Sequence, residues 1–532
     1  MNARRFLAVI LAVILLLLGL AGGAWWLVWQ RSPLQLQQRA LISPRAARFV
    51  PRDAALSFYL LSDAEQPLAY ARAVAPPRQR RQAAEAVARL RDGAFAAAGL
   101  DYTAELAGWL GPETGLWVLA DQGGEPGGWV LALSSRDNDG ARRFLQRFWQ
   151  TRSLAGTELQ ISSYRGMGVI SGRGALLGRQ PVPLATALID DDLVLLASGR
   201  GALEQALDVS QIDALNQAAD PRLQRRLERL DRGMALLVAR PGALNSWLGG
   251  AGVLPLPGEE LVAALRPQGR ELVLDGWLAS GREPQPEQAP IPPLAGSDGQ
   301  ALLAALQGEA AQLALLQDPA LWPEPWQPLL QALLGPQAGQ DGTPVPAQLL
   351  TEARGPVLWR QGDQDWLLGS RPDQPAPDAL AERLQAQGLA ASPLDLEDQP
   401  VQVWTRLQAS SAQRRRAGAP DQLAVTLAAA RAEQAGWAWW SDSLEVLAQQ
   451  QRVRHQPPAL IQRLANLGLP DASLQWAACG QSAQDLLRRW SGWRLLAAMA
   501  GQDFTETVGS VALAVQPDGD GLRWRARIAY DS

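Results

Sequence analysis

Two turns rich in glycine and arginine come closest to a binding motif. Ser171-Gly172-Arg173-Gly174-Ala175-Leu176 recurs as Ser198-Gly199-Arg200-Gly201-Ala202-Leu203. The second copy joins a strand pattern to a helical pattern, where backbone N–H groups at a helix N-terminus could hold an anion. We therefore regard Ser198, Gly199, Arg200 and Gly201 as a candidate anion-binding turn. A glycine turn that recurs without binding anything would give the same pattern.

Two acidic runs have residue types that suit calcium. They are Asp190-Asp191-Asp192 and Asp518-Gly519-Asp520-Gly521. Neither continues into an EF-hand loop with its later glutamate. Each lies between two strand patterns, where Asp and Gly favour tight turns. The sequence therefore predicts two hairpin turns here and no metal site.

The chain has one histidine, His455, and one cysteine, Cys479. Zinc sites need several such ligands, and a single histidine severely limits Ser-His-Asp catalysis. His455 lies in a polar, proline-flanked stretch and should be exposed, whereas Cys479 follows an apolar run and should be a small core residue. We assign no catalytic residue and no cofactor. A hydrolase with paired carboxylates stays open, because acids distant in sequence can meet in space.

The chain contains no lysine, so apart from His455 its basic side chains are all arginine. This excludes Schiff-base, pyridoxal-phosphate and P-loop chemistry that depends on lysine. A net charge of −4 argues against a nucleic-acid binder. Two short basic runs, Arg78–Arg81 and Arg414–Arg416, suggest solvated loops, with contact to anionic lipid head groups as the alternative.

An apolar run of 24 residues, 6–29, carries no charge and is long enough to cross a bilayer as a helix. Arg4 and Arg5 precede it, and three tryptophans lie in its last five residues. The positive-inside rule then predicts a short cytoplasmic tip and a body on the non-cytoplasmic side. A signal peptide cleaved near residues 21–24 is the alternative, and it also places the body outside the cytoplasm.

The body after this segment shows an internal duplication with an offset near 240–250 residues. A strand–turn–strand–helix pattern over residues 115–149 recurs over 355–384, and a second unit over 183–207 recurs over 422–448. Five prolines within residues 283–293 mark a linker between the copies. The predicted domains are listed in order: residues 1–30 cytoplasmic tip and transmembrane helix, 31–45 tether, 46–282 first lobe, 283–298 linker and 299–532 second lobe.

These patterns predict an α+β fold, in which an N-terminal transmembrane helix is followed by two similar lobes of antiparallel sheet with helices packed on one face. The helix after residue 441 should begin with a capping box formed by Asp442 and Glu445. In the last strand, Leu522, Trp524, Ala526 and Ile528 alternate with Arg523, Arg525 and Arg527. The apolar set should be buried and the arginines solvated.

The chain resembles a family of membrane-anchored cyanobacterial proteins known as domain of unknown function 3352. The resemblance is carried by residues 49–56, Phe-Val-Pro-Arg-Asp-Ala-Ala-Leu, and by the repeated block with Leu193–Ala197 and Ala202-Leu203. It implies a plasma-membrane or thylakoid location and supplies no catalytic residue.

The function that follows is a non-enzymatic envelope or lumenal module that binds a protein or a lipid-like partner. The alternative is a hydrolase with paired carboxylates. A cleft with two close acids of raised pKa would favour the hydrolase, and a broad exposed apolar surface would favour binding.

Overall fold

The structure is a computed structural model of the 532-residue chain. It describes residues 32–530 except for these internal segments: 121–126, 155–158, 175–181, 243–259, 280–292, 295–296, 323–326, 335–344, 363–364, 398, 410–422, 453–458 and 519–520. His455, the run Arg414–Arg416 and most of the proline-rich linker lie outside the described residues. The predicted membrane segment, residues 6–29, also lies outside them. Within the described residues no helix is both long and apolar enough to cross a membrane.

Ten strands form the sheet of the N-terminal half, and every pairing is antiparallel. Their bounds are β1 Leu56–Leu60, β2 Leu110–Val118, β3 Trp129–Ser135, β4 Gln160–Tyr164, β5 Met167–Gly174, β6 Val182–Ile189, β7 Leu193–Ala197, β8 Ala235–Ala239, β9 Glu260–Gln268 and β10 Glu271–Ala279.

Ten more antiparallel strands form the sheet of the C-terminal half. Their bounds are β11 Gln312–Gln317, β12 Pro356–Gln361, β13 Trp366–Ser370, β14 Leu389–Leu396, β15 Gln399–Ala409, β16 Leu423–Gln434, β17 Trp437–Ser441, β18 Leu474–Cys479, β19 Val508–Asp518 and β20 Gly521–Tyr530.

The two halves have the same strand order. In the N-terminal half the order is β4-β5-β6-β7-β3-β2-β1-β8-β9-β10, and in the C-terminal half it is β14-β15-β16-β17-β13-β12-β11-β18-β19-β20. Strands β10 and β20 then pair with each other, antiparallel over nine residues, and join the halves into one sheet with β4 and β14 at its ends. We call this β10–β20 pair the seam. That residues 46–282 superpose on residues 299–532 stays a prediction.

Thirteen α-helices lie among the described residues. Their bounds are α1 Gln66–Val74, α2 Arg80–Ala97, α3 Asn138–Leu154, α4 Arg200–Val209, α5 Pro221–Leu230, α6 Ser297–Ala305, α7 Gln327–Leu334, α8 Val345–Glu352, α9 Pro377–Ala386, α10 Leu444–Gln451, α11 Ala459–Ala465, α12 Gly480–Arg489 and α13 Ser491–Ala500. Helix α10 is capped by Ser443, whose hydroxyl accepts the N–H of Val446. The predicted capping box that starts at Asp442 is therefore displaced by one residue.

The prediction that helices cover one face of each sheet is wrong, because both faces are covered. In the N-terminal half, α4 and α5 pack on one face and α3 packs on the other. In the C-terminal half, α9 and α12 lie on one face, while α6, α10 and α11 lie on the other. The reason is visible in strands such as β7, whose five consecutive apolar residues are all buried, so both faces need a cover.

Residues 32–45 are docked on the N-terminal half, so they do not form the free tether that their polarity predicts. Leu36 and Leu41 are buried. The Leu41 N–H donates to the Asp231 carbonyl at 2.8 Å, and the Arg45 guanidinium pairs with Asp192 at 2.9 Å. Two apolar side chains in an otherwise polar stretch are enough to fix it, because each gains apolar contact while the arginines and glutamines stay at the surface.

Candidate binding surfaces

The candidate anion-binding turn lies where the sequence places it, between β7 and α4. Gly199 has φ +132°, a backbone conformation that favours glycine, and it precedes the first residue of α4. The Ser198 hydroxyl accepts the Trp129 N–H at 2.8 Å, and the Arg200 guanidinium pairs with Glu204 at 2.6 Å. Both polar side chains therefore bond within the chain, and anion binding here stays a prediction.

One end of this turn borders an open cleft of about 660 Å³ in the N-terminal half. Helix α4 forms one wall, the end of β4 another, and the segments around residues 51–53 and 214–215 complete it. Its charged and polar lining consists of Arg52, Asp53, Tyr164, Glu204, Gln205 and Asp208. Three carboxylates against one guanidinium give this lining an acidic balance.

The carboxylate that is best fixed in the cleft is Asp208. It accepts the Tyr164 hydroxyl at 2.8 Å and pairs with the Arg165 guanidinium at 2.8 Å. The Tyr164 hydrogen bond, aided by Arg165, lowers the pKa of the Asp208 carboxyl. A general acid would need the opposite shift, so Asp208 does not fit that role at neutral pH.

A carboxyl with a raised pKa occurs elsewhere, at Asp442, where burial is the main cause. Its Oδ1 accepts the Trp366 N–H at 3.2 Å, so the group supports the junction of β13 with β17 and α10. It does not line the cleft. The pairing of acids that would favour a hydrolase is therefore not present among the cleft residues that the structure describes.

The other sequence candidates are structural. Asp190–Asp192 connect β6 and β7 as a hairpin, with positive φ at Asp190 and Asp191, and β19 and β20 are paired across residues 518–521. Both turn predictions are confirmed. Cys479 is half-buried at the end of β18, with its Sγ 3.5 Å from the Ala310 carbonyl oxygen. In the run Arg78–Arg81, Arg80 and Arg81 are exposed and begin α2, although a loop was predicted.

Exposed aliphatic side chains mark both ends of the continuous sheet. In the C-terminal half, Leu407 and Val425 face each other across β15 and β16 and are 62% and 64% exposed. They lie on the face of Ala429, which is buried opposite Trp404, so an apolar row continues from the core onto the protruding ribbon. In the N-terminal half, Ile161 on β4 is 80% exposed.

A cluster of charged side chains lies along one face of the seam. The Arg525 Nε is 2.5 Å from Asp275 Oδ1, and Arg266 lies 3.5 Å from Asp275 Oδ2. Glu271 pairs with both Arg463 and Arg527, at 3.0 and 2.9 Å. Desolvation is the main cause that lowers the pKa of Arg266, against the pull of Asp275.

This cluster corrects the prediction that the arginine row is solvated. The side chains of Arg525 and Arg527 are 16% exposed, and Trp524 on the opposite face is half-buried although burial was predicted. The cause is β10, which lies against β20 and places Asp275 opposite Arg525. Sequence alternation showed two faces, but no local signal indicated that a distant strand would supply acids to one of them.

The cleft and the exposed Ile161 were both missed from the sequence. The segment Gln160–Tyr164 is short and has no Val, Trp or Phe, so its strand pattern is weak. Tyr164, Asp208 and residues 51–53 meet only through the folding of three separate segments. The available signal was the acidic face of α4, in which Glu204 and Asp208 have the i,i+4 spacing of one helix face.

Comparison with known proteins gives one match that covers nearly the whole chain. A family model described as "Protein of unknown function (DUF3352)" matches residues 10–528. No curated protein matches the chain. Among solved structures, crystal form III of TP0453 aligns with 10% identity and a TM-score of 0.26, over 46% of this chain and 83% of that chain. Crystal form I of TP0453 aligns with 11% identity and a TM-score of 0.28, over 46% and 81%.

Proposed function

We propose a binding role for this chain, which belongs to the family of proteins of unknown function DUF3352. The chain acts as a membrane-anchored, non-enzymatic module that holds a protein or lipid-like partner on the non-cytoplasmic side. The anchor is the uncharged run of residues 6–29, which has the length and the flanking arginines of a membrane-spanning helix.

The observation that carries the binding role is the apolar pair Leu407–Val425. Single exposed apolar residues are common on protein surfaces, but this pair continues an apolar row that begins at the buried Trp404–Trp440 stack. The ring centroids of that stack are 5.1 Å apart, so the base of the ribbon is firmly packed. A rigid base that presents two aliphatic side chains suits the docking of an apolar surface, because little ordering entropy is lost on binding.

The experiment is photo-crosslinking of the full-length chain in native membranes. A photoreactive residue replaces Thr405, which lies beside the pair on β15, and adducts are identified by mass spectrometry. The double variant Leu407→Ser with Val425→Ser should remove most of the adduct, because the apolar contact is lost. The control is Leu34→Ser with Ile42→Ser, which changes two exposed aliphatic residues in a different segment.

Protein adducts identify a protein partner, and lipid adducts identify a lipid-like one. The proposal fails if the ribbon variant crosslinks as efficiently as the control, or if Thr405 gives no adduct in folded protein. Thermal melts of both double variants establish that each still folds.

A further inference from the structure

The two end strands of the sheet, β4 and β14, each have one side that no described residue pairs with. They occupy equivalent positions in the two halves, so the same open edge occurs twice. An unpaired edge invites pairing with another chain, and proteins usually block it with proline, charge or a cover. A comparison of the two edges therefore shows which of them is left open.

The hairpin geometry fixes which backbone groups point outwards from β4. Arg165 and Gly166 form a two-residue turn with φ +52° and +81°, and Tyr164 lies opposite Met167. Residues that flank such a turn form a hydrogen-bonded pair, and the bonding direction alternates along the strand. The N–H and C=O groups of Ile161 and Ser163 therefore point away from β5. Neither residue is charged and neither is proline.

The same reasoning gives a blocked edge on β14. Leu396 lies opposite Gln399 across a two-residue turn, so its N–H and C=O point towards β15. The outward positions are then Leu389, Ala391, Pro393 and Asp395. Pro393 has no N–H to offer a partner strand, and Asp395 adds a charge at the next outward position.

We propose that β4 is a docking site for an extended segment of a partner protein, which adds to the sheet as a further strand and carries a basic side chain. This site is separate from the ribbon of β15 and β16. Main-chain hydrogen bonds to Ile161 and Ser163 would hold the segment, as in other complexes where a peptide extends a sheet edge. Five residues of β4 limit the added strand to about the same length.

The chemistry of the segment follows from what borders the two faces of β4. Tyr164 lies on the face of the cleft, where Asp53, Glu204 and Asp208 supply negative charge. Arg52 is the cation of the lining, and its guanidinium is held by the carbonyls of residues 213, 216 and 219. Arg165 and Arg200 pair with Asp208 and Glu204 from the rim, whereas Asp53 makes no ion pair among the described residues. A basic side chain fits this balance.

The opposite face of β4 presents Ile161, which lies across from the half-buried Ile170. An apolar side chain of the added strand would cover both, because cross-strand neighbours on one face are in contact. The partner segment is thus extended, with an apolar residue on one face and Arg or Lys towards the cleft.

The test is site-specific photo-crosslinking in native membranes with the full-length chain, from a photoreactive residue at position 161. Adducts should map to one contiguous segment of a partner protein that contains Arg or Lys. Ser163→Pro removes an outward N–H without removing a bond to β5, and it should abolish the adduct. Ser163→Ala keeps that N–H and should crosslink like the parent chain. The same photoreactive residue at position 391 of β14 should give no adduct.

A second pair of variants tests the charge. Asp53→Arg should lower the adduct yield about fivefold, which is the scale of one rim charge, whereas the exposed Asp471→Arg should not. The proposal is overturned if position 161 crosslinks to lipid, to a second copy of this chain, or to nothing. It is also overturned if Ser163→Pro and Ser163→Ala behave alike, or if positions 161 and 391 crosslink equally. Thermal melts confirm that each variant is folded.

Discussion

Replacing Arg525 by alanine tests whether the seam is held by charged groups as well as by backbone pairing. Arg525 donates to Asp275, whose side chain is 6% exposed, and its Nη1 donates to the Gly468 carbonyl at 2.6 Å. Removing one partner of a buried ion pair costs about 3–5 kcal/mol, because the other charge stays buried. Arg266 remains 3.5 Å from Asp275 and compensates in part, so we expect a loss of about 2–3 kcal/mol.

Two neighbouring variants set the scale. Trp524→Ala should cost about 2 kcal/mol, below the usual range of about 3–5 for a buried aromatic, because Trp524 is half-buried against Gly276. Arg523→Ala should cost less than about 0.5 kcal/mol, since this half-buried arginine makes no ion pair among the described residues. Arg525→Ala combined with Asp275→Ala should show a coupling of about 1–2 kcal/mol, because the two residues are in contact.

The assay is urea unfolding of the full-length chain in detergent, followed by tryptophan fluorescence. The full chain is needed because Asp275 belongs to β10, which an isolated span of residues 299–532 would lack. Equal losses for Arg525→Ala and Arg523→Ala, or a coupling near zero, would show that the seam does not depend on this pair.

Three further predictions follow from the sequence and the packing. Gly93→Ala should destabilise the chain by more than about 1 kcal/mol in the same assay, because a Cβ there would collide with the Met499 carbonyl where α2 packs on α13. Asp442→Asn should raise stability at pH 7: a raised folded-state pKa means that the ionised form costs folding free energy above the unfolded pKa, and the gain should shrink as pH falls below about 3.8. A reporter fused after Ser532 should be active only outside the cytoplasm, and cytoplasmic activity would reverse the predicted orientation.

Local patterns were sufficient to locate many individual elements. The spacing of Phe144, Leu145, Phe148 and Trp149 predicted one face of a helix, and all four are buried on α3. The alternation from Leu522 to Ile528 and the Asp-Gly turn before it predicted the β19–β20 hairpin, which is present. Such features depend on contacts between residues close in sequence, so the periodicity of the chain contains most of what is needed.

The candidate sites were a different matter, because they depend on which distant elements meet. The sequence named the turn at residues 198–201 but not the cleft beside it, which also needs β4 and residues 51–53. Weak strands such as β4 and β14 have little apolar content of their own and are fixed by the neighbour they pair with.

From the sequence alone came the duplicated order of elements, the apolar N-terminal run, and the absence of lysine, which excludes lysine chemistry. Only the tertiary structure decided that helices cover both faces of the sheet, that residues 32–45 are docked, and that β10 pairs with β20. The same pairing brings Asp275 to Arg525 and leaves β4 and β14 as the free edges. The physical reason is that alternation along a strand separates its two faces but does not specify which distant segment, apolar or charged, will cover each face.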